Sequence, residues 1–478
     1  MAPLTIRNLT ITPLELKLVE RLDGDEVPKP GGIANITSTI TNLFNGTETP
    51  TVGLIPRGEP KEKKDIKGVV IEPFTTRSTD IKAADPTKEV LRLTFEERGS
   101  PNHRYVVDAP GQSNRSIVMK RLGGAPHEFT AVYIPSGSFL AIYSSANLAR
   151  WMRELPDHYP LSTLSIPGTH NSPTCHVALP SVRCQAVGVR EQLDNGVRFM
   201  DIRVSADPQD DQLTLVHSAF PISLTGSKYL SDLLSEVYAF LEANPSEVLL
   251  MSLKREGTGS GNDNDLSRHL SGKRYLGSDQ GSRRWFTEPR IPTLGEARGK
   301  VVLVRRFGLD DGVRRKVHDG RGWGIDGSVW PDNCEDAATG SGQFRVQDFY
   351  EIDQSTNIEK KIELSRKQLE RAAEQVFDPK QQQQQKDKAK LPPLFVNFLS
   401  ASNFFNAGCW PEKIAAKVNP AVIEYLCMRH GDPGKGPGKL KVGDASTGIV
   451  ITDWVGNDGD WDLIRCIVGW NARLQLKK

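Results

Sequence analysis

The sequence has no stretch of about 18 consecutive apolar residues, the length a membrane-spanning helix requires. It also lacks a surplus of either charge: Lys plus Arg is 61 and Asp plus Glu is 59, a net charge of +2. That balance gives no sign of a nucleic-acid binder. Cysteine is sparse, with six residues at Cys175, Cys184, Cys334, Cys409, Cys427 and Cys466. Their scattered spacing gives neither a zinc-ligand pattern nor a dense disulfide framework. Cys175 and Cys184 are near enough in sequence to bridge in an oxidising compartment. Met1 to Val19 mixes Pro, Arg, Asn and Glu and lacks the apolar core of a secretory signal, so free thiols and a cytoplasmic location are expected. The glycosylation triplets at Asn8, Asn35, Asn45 and Asn114 carry no meaning in such a chain.

What is present is loop-forming residues, 42 Gly and 31 Pro, in a chain of 478 residues that has room for two or three domains. Residues 1–145 read as an all-β, sandwich-like domain. Short runs at Leu4–Leu9, Ile33–Leu43, Gly68–Ile71, Val90–Phe95, Ser116–Met119 and Glu128–Tyr133 are separated by Gly, Pro, Asn and Asp. No catalytic constellation is visible there, and a packing or interaction module is the expected role.

The pattern changes over residues 150–478. Eight short apolar runs end in polar residues: Leu161–His170, Val197–Val204, Leu213–His217, Val248–Lys254, Val301–Phe307, Phe344–Tyr350, Leu394–Ser400 and Gly448–Trp454. Helical periodicity at Tyr229–Ala243 and Asn357–Val376 separates some of them. Buried strands alternating with helices or long loops predict an α/β fold, a distorted (β/α) TIM-type barrel. Gly257–Arg283, rich in Gly, Ser, Asn and Asp, and Asp378–Lys390, with five consecutive glutamines and four lysines, read as exposed loop insertions.

A barrel enzyme assembles its site where the strands run out. The run ends here supply His170, Asp201 with Arg203, His217, Lys254, Arg306, Asp348 with Tyr350, Asn397 and Asp453. Side chains alternate along a strand, so Asp201 and Arg203 share a face, as do Asp348 and Tyr350. Ile449, Ile451 and Asp453 form one row, apolar below and charged at the rim. Two histidines, an arginine and carboxylates suit phosphodiester cleavage. One imidazole takes a proton from the nucleophile and the other gives one to the leaving alkoxide. A guanidinium stabilises the charge that builds on phosphorus oxygens.

These residues stand in motifs that resemble the catalytic barrel of bacterial-type phosphatidylinositol-specific phospholipase C. Leu164-Ser-Ile-Pro-Gly-Thr-His170-Asn171-Ser172 is similar to its opening signature. Gly196-Val-Arg-Phe-Met-Asp201-Ile-Arg203, Leu215-Val-His217 and Pro245-Ser-Glu-Val-Leu-Leu-Met-Ser-Leu-Lys254-Arg-Glu256 resemble its second, third and fourth strands. Gly299-Lys-Val-Val-Leu-Val-Arg-Arg306, Trp330-Pro-Asp-Asn333, Val346-Gln-Asp348-Phe-Tyr350 and Ile449-Val-Ile-Thr-Asp453 follow in order. The resemblance spans about residues 150–475 and leaves the N-terminal part uncovered.

The resemblance implies a lyase reaction on phosphatidylinositol-type lipids, giving diacylglycerol and an inositol 1,2-cyclic phosphate. His170 is implied as general base, oriented by Asp453, and His217 as general acid. Arg203, with Asp201 nearby, is implied as the phosphate-binding cation. Lys254, Arg306 and Asp348 would bind inositol hydroxyls, and Tyr350 would lie against the ring. Calcium-using relatives carry acidic residues at the positions of Asp201 and Arg203. A cation at Arg203 repels a metal there, and Asp201 with Asn171 offers too few oxygens for calcium, so no metal and no other cofactor is expected. Phe404, Phe405 and Trp410, after the seventh run, are candidates for an aromatic rim dipping into lipid. The expected partner is a lipid at a membrane surface, with the protein peripheral to the membrane; nucleic acid is not expected.

Two departures stand out. The bacterial-type enzymes place Asp after the first histidine to support the general acid, and this chain has Asn171. They carry Gly after the second histidine, and this chain has Ser218. An uncharged Asn cannot stabilise an imidazolium as a carboxylate does. These departures keep open a catalytically weak phosphoinositide-binding protein. A glycerophosphodiesterase or a sphingomyelinase-like barrel is the other alternative. Both of those use a metal held by an acidic pair, which Arg203 opposes. Plainer readings also exist: Lys254 and Arg306 as rim ion pairs with Glu256 or Asp348, Asp453 as a strand cap, and the aromatic trio as packing under a loop.

Overall fold

The computed structural model describes residues 2–27, 53–112, 115–145, 147–380, 391–434 and 442–476. The expected strand Ile33–Leu43, the triplets at Asn35, Asn45 and Asn114, and residues 381–390 of the glutamine- and lysine-rich insertion lie outside them. The chain divides into two compact units, Met1–Ser145 and Ala146–Lys478.

In the first unit, apart from the single turn of 3-10 helix Pro135–Gly137, the described elements are strands. One five-stranded sheet runs Thr75–Lys82, Pro3–Leu9, Phe139–Ser144, Phe129–Ile134 and Ser116–Val118. The other runs Leu54–Ile71, Leu14–Glu26, Glu89–Glu97, Ser100–Ala109 and Lys120–Leu122. Alternate residues from both sheets, such as Leu4, Ile6, Leu140 and Ile142 against Leu14, Leu16, Leu93 and Phe95, fill one shared core.

The second unit is built on parallel strands: β1 (Ile166–Thr169), β2 (Phe199–Asp207), β3 (Leu249–Arg255), β4 (Val301–Arg306), β5 (Ile325–Asp326), β6 (Phe344–Gln347), β7 (Leu394–Phe398) and β8 (Ile449–Thr452). Their lateral order is β5-β4-β3-β2-β1-β8-β7-β6. This is the order of a TIM-type barrel, but the ring does not close. Among the described residues no backbone ladder joins β5 to β6. β5 is only two residues long, and two side-chain bonds reach across the seam, Asp326 N–H to Gln343 Oε1 at 3.0 Å and Ser341 Oγ to the Asp326 carbonyl at 2.5 Å.

Both faces of the sheet are buried, as parallel strands require. Inward rows are apolar at their base and polar at their C-terminal ends: Phe199–Asp201–Arg203, Leu250–Ser252–Lys254, Val302–Val304–Arg306, Val346–Asp348 and Ile449–Ile451–Asp453. Outward rows, such as Met200, Ile202 and Val204 with Met251 and Leu253, pack on helix Leu230–Ala243. At the base, the fully buried Arg198 binds Glu247 at 2.9 Å and donates to the carbonyls of Leu193, Val197, Leu148 and Ala149. A buried charge of this kind is tolerated because its donors are matched.

Two expectations are corrected. Leu213–His217 is not a barrel strand. It belongs to Asp210–His217, which runs antiparallel to β2 as the return arm of a hairpin, and β5 takes a place beside β4 that sequence did not reveal. The stretch Gly257–Arg283 is not an open loop. It forms helices Asp263–Ser271 and Asp279–Arg284, the first started by a capping box between Asn262 and Asp265. Leu266, Leu270 and Tyr275 anchor it in the core.

Candidate active site

His170 follows the last residue of β1, and its Nδ1 lies 3.0 Å from Asp453 Oδ1, just beyond β8. Burial disfavours a charged ring, but Asp453 and then Cys184 outweigh it, and the His170 pKa is pushed up to about 10. Burial also pushes the Asp453 carboxyl up. The two groups therefore hold a proton between them, which the pair rather than either residue owns.

His217 ends the hairpin arm, edge-on to His170 with ring centroids 5.7 Å apart. Its Nδ1 is 2.9 Å from the Val182 carbonyl and 3.8 Å from Cys184 Sγ. Burial, then the charges of Arg203 and His170, push its pKa down to about 3. Without a bound anion the proton thus sits on the His170 side, the reverse of the state an acid at His217 needs.

Arg203 lies between two carboxylates. Its Nη2 is 3.1 Å from Asp201 Oδ2 and its Nη1 is 3.1 Å from Glu256 Oε1. Burial opposes its charge, but Asp201 and Glu256 hold it above its ordinary value. The fully buried Asp201 is driven below the usual carboxylate range because Arg203 and Arg306 outweigh burial. Glu256 also binds Lys254 Nζ at 2.6 Å and accepts the Ser218 N–H at 3.0 Å. Ser218 has φ +53°, a backbone state that favours glycine, and this bond helps hold it there.

Arg306 lies over the Trp330 ring, 4.0 Å from its centroid, and 3.8 Å from Asp201 Oδ1. Its Nε and Nη1 are buried with no hydrogen bond. Asp348 Oδ2 accepts from Trp330 Nε1 at 3.0 Å, and the Tyr350 hydroxyl donates to Asp332 at 3.0 Å. The buried Lys361, its pKa lowered to about 7 by burial, donates to the Phe349 carbonyl and so fixes the segment that carries both.

The expected members thus gather at the strand ends, with two exceptions in detail. Asn171 does not support His217: its side-chain amide is buried with no hydrogen bond, and the Val182 carbonyl holds the ring instead. What Asn171 does provide is a left-handed turn, φ +41°, and a backbone N–H to Asp201 at 3.2 Å. Lys254 is held in an ion pair by Glu256, the plainer of its two readings.

In sequence, Glu256 stands only as an ion-pair partner for Lys254 or Arg306 and Cys184 only as a possible disulfide half, and Val182 is not singled out. Glu256 had a signal, standing two residues from Lys254 on the same face of a strand end. Val182 and Cys184 had none, because a loop after β1 folds back over the barrel mouth.

Phe404 and Phe405 pack together, and Phe404 stacks on Phe220 at 5.6 Å. Phe405 is 95% exposed, Val177 69%, Leu224 63% and Phe404 45%. Leu224 N–H bonds the Val177 carbonyl, so these residues come from three loops. Trp410 is half-buried, its Nε1 3.4 Å from the Phe404 carbonyl. Among the described residues no helix is long and apolar enough to cross a membrane.

Residues 158–307 match the family model described as "Phosphatidylinositol-specific phospholipase C, X domain". The chain is 26% identical over 335 residues to the 1-phosphatidylinositol phosphodiesterase of Staphylococcus aureus (strain NCTC 8325 / PS 47), covering 68% of this chain and 90% of that protein. It is 32% identical over 195 residues to the 1-phosphatidylinositol phosphodiesterase of Listeria monocytogenes, covering 37% of this chain and 58% of that protein. A solved structure, a mutant of the phosphatidylinositol-specific phospholipase C from S. aureus, aligns with a TM-score of 0.52 at 23% identity over 68% of this chain and 96% of that one, which shows a common fold.

The charge arrangement makes one stability prediction. Glu256 has its pKa lowered to about 2, since Arg203 and Lys254 outweigh burial, against about 4.3 unfolded. Its contribution is full above the unfolded value and is lost as pH falls towards the folded one. Urea unfolding should show Glu256→Gln less stable by about 2–3 kcal/mol from pH 5 to 7. The gap should shrink by about 1.4 kcal/mol per unit below about pH 4.3. A gap that stays constant down to pH 3 would contradict this.

Proposed function

Because the chain is a phosphatidylinositol-specific phospholipase C-like enzyme, we propose that its second unit cleaves phosphatidylinositol-type lipids to diacylglycerol and inositol 1,2-cyclic phosphate without a metal. The observation that carries this reading is two histidines edge-on at 5.7 Å beside a guanidinium, at the mouth of a parallel barrel.

His170 takes the proton of the inositol 2-hydroxyl, and Asp453 on its Nδ1 keeps Nε2 aimed at that oxygen. The oxygen attacks phosphorus, and the P–O bond to diacylglycerol breaks. His217 gives its proton to the departing alkoxide. Arg203 binds the phosphate oxygens. Burial and then the positive neighbours keep His217 neutral, and a phosphodiester anion in the pocket would offset the neighbours' share and favour the protonated ring that the acid requires. Arg306, with unpaired buried donors, and Asp348 bind inositol hydroxyls, and Tyr350 flanks the ring. Lys254 contributes after exchange from Glu256. The first unit is an accessory module to this chemistry.

His170→Ala and His217→Ala should each lower turnover of phosphatidylinositol by about 10²-fold or more, with little change in thermal midpoint. Near-wild-type activity in either variant would make that histidine structural. If neither the variants nor the wild type turn the lipid over while the protein still binds it, the chain is a phosphoinositide binder.

The apolar rim supports a lipid surface as the place of reaction. Burying a large apolar side chain is worth about 1.5–3 kcal/mol. Phe405→Ser with Leu224→Ser should therefore weaken binding to phosphatidylinositol-containing vesicles at least about 10-fold. Cleavage of a water-soluble inositol phosphodiester should be unaffected. Equal losses in both assays would show that the rim acts on the site and not on the membrane.

A further inference from the structure

Cys184 stands between the two histidines and has no part in the chemistry above. It is fully buried, with Sγ 3.8 Å from His217 Nδ1, and it interacts with the His170 ring as well. His170, Cys184 and His217 can each present one donor atom so that all three lie within 4.8 Å of one another. From this geometry we infer that the three side chains form a binding site for a soft divalent cation of the zinc type, whose occupancy shuts the phosphodiesterase off.

The donor set selects the ion. Two imidazoles and a thiolate suit zinc and its neighbours, whereas calcium and magnesium want oxygens. Zinc–nitrogen bonds of about 2.0–2.1 Å and zinc–sulfur bonds of about 2.3 Å place tetrahedral donors about 3.3–3.6 Å apart. From a separation of up to 4.8 Å the donors must close by about 1.2–1.5 Å, and because His217 Nδ1 is taken by the Val182 carbonyl the ion would take Nε2 of that ring. The outer contacts are those of metal-binding imidazoles, which usually give their second nitrogen to a carboxylate or a carbonyl. His170 has Asp453 on Nδ1 at 3.0 Å, and His217 has the Val182 carbonyl at 2.9 Å. The nearby positive charge of Arg203 opposes the ion, and Asp201 and Glu256 offset that charge only in part.

Binding releases the Cys184 thiol proton and the Nε2 proton of a charged His170, whose Nδ1–H stays on Asp453, and a water completes the tetrahedron. Neither histidine can then carry a proton to or from substrate. The inhibition part of this proposal rests on the functional reading above; the site itself does not.

The test is cobalt(II) and zinc titration of the whole chain, read by absorption and by competition with a chromophoric chelator. One equivalent of cobalt should give a thiolate-to-cobalt charge-transfer band that zinc removes. Cys184→Ala should abolish the band and weaken zinc binding by at least about 100-fold, the upper end of what an outer contact alone costs. Cys175→Ser should retain both. Absence of the band in the wild type, or its survival in Cys184→Ala, would overturn the site. Phosphatidylinositol cleavage should fall at least about 10-fold on zinc loading and recover with chelator. Zinc bound here with activity unchanged would overturn the inhibition. A chain that binds zinc here but cleaves no lipid in the metal-free state would sink the functional reading and leave the site standing.

Discussion

A guanidinium held in a nearly dry barrel mouth is the constraint on which the rest of the site depends. Arg203 is kept charged by Asp201 on one side and Glu256 on the other. The same carboxylates then organise what surrounds them. Asp201 holds the turn after His170 through the Asn171 N–H, and Glu256 holds the turn after His217 through the Ser218 N–H. One charge cluster thus sets the backbone beside both histidines. It also bears on their proton balance: burial and then Arg203 push His217 towards neutrality, while Asp453 holds a proton at His170. The proposed phosphodiester would bring an anion to this charge cluster, whose positive field still reaches His217.

Much of this was legible in the sequence for a simple reason. Strand side chains alternate, so a row such as Ile449, Ile451 and Asp453 declares both a buried face and a charged rim. What was not legible concerns partners rather than periodicity. Leu213–His217 has the apolar pattern of a barrel strand, and nothing local tells that it pairs antiparallel with β2. β5 is two residues long and carries no periodic signal at all. The polar stretch Gly257–Arg283 misled by composition, although the Asn262 and Asp265 spacing of a helix start was there to see.

The site divides along the same line. Residues at strand ends were found, because the fold puts strand ends together. The place of Val182 and Cys184 beside His217 was missed, Cys184 having been weighed only as a disulfide half, because a loop brings them there and the contacts span 35 and 33 positions respectively. Asn171 shows a subtler limit. Its identity suggested a weakened version of a carboxylate–imidazole pair, yet the ring takes a backbone carbonyl instead, with the Cys184 thiol beside it. The apolar rim was half visible, as Phe404 and Phe405, and half hidden in Phe220, Leu224 and Val177 on other loops.

The central claim is that two imidazoles and a guanidinium cleave the lipid without a metal. Phosphorus NMR of purified protein with phosphatidylinositol vesicles in excess chelator tests it most directly. The account predicts that the inositol 1,2-cyclic phosphate signal appears under chelation and does not grow faster when calcium is supplied. A signal that appears only with calcium, or a product that is never cyclic, would contradict it.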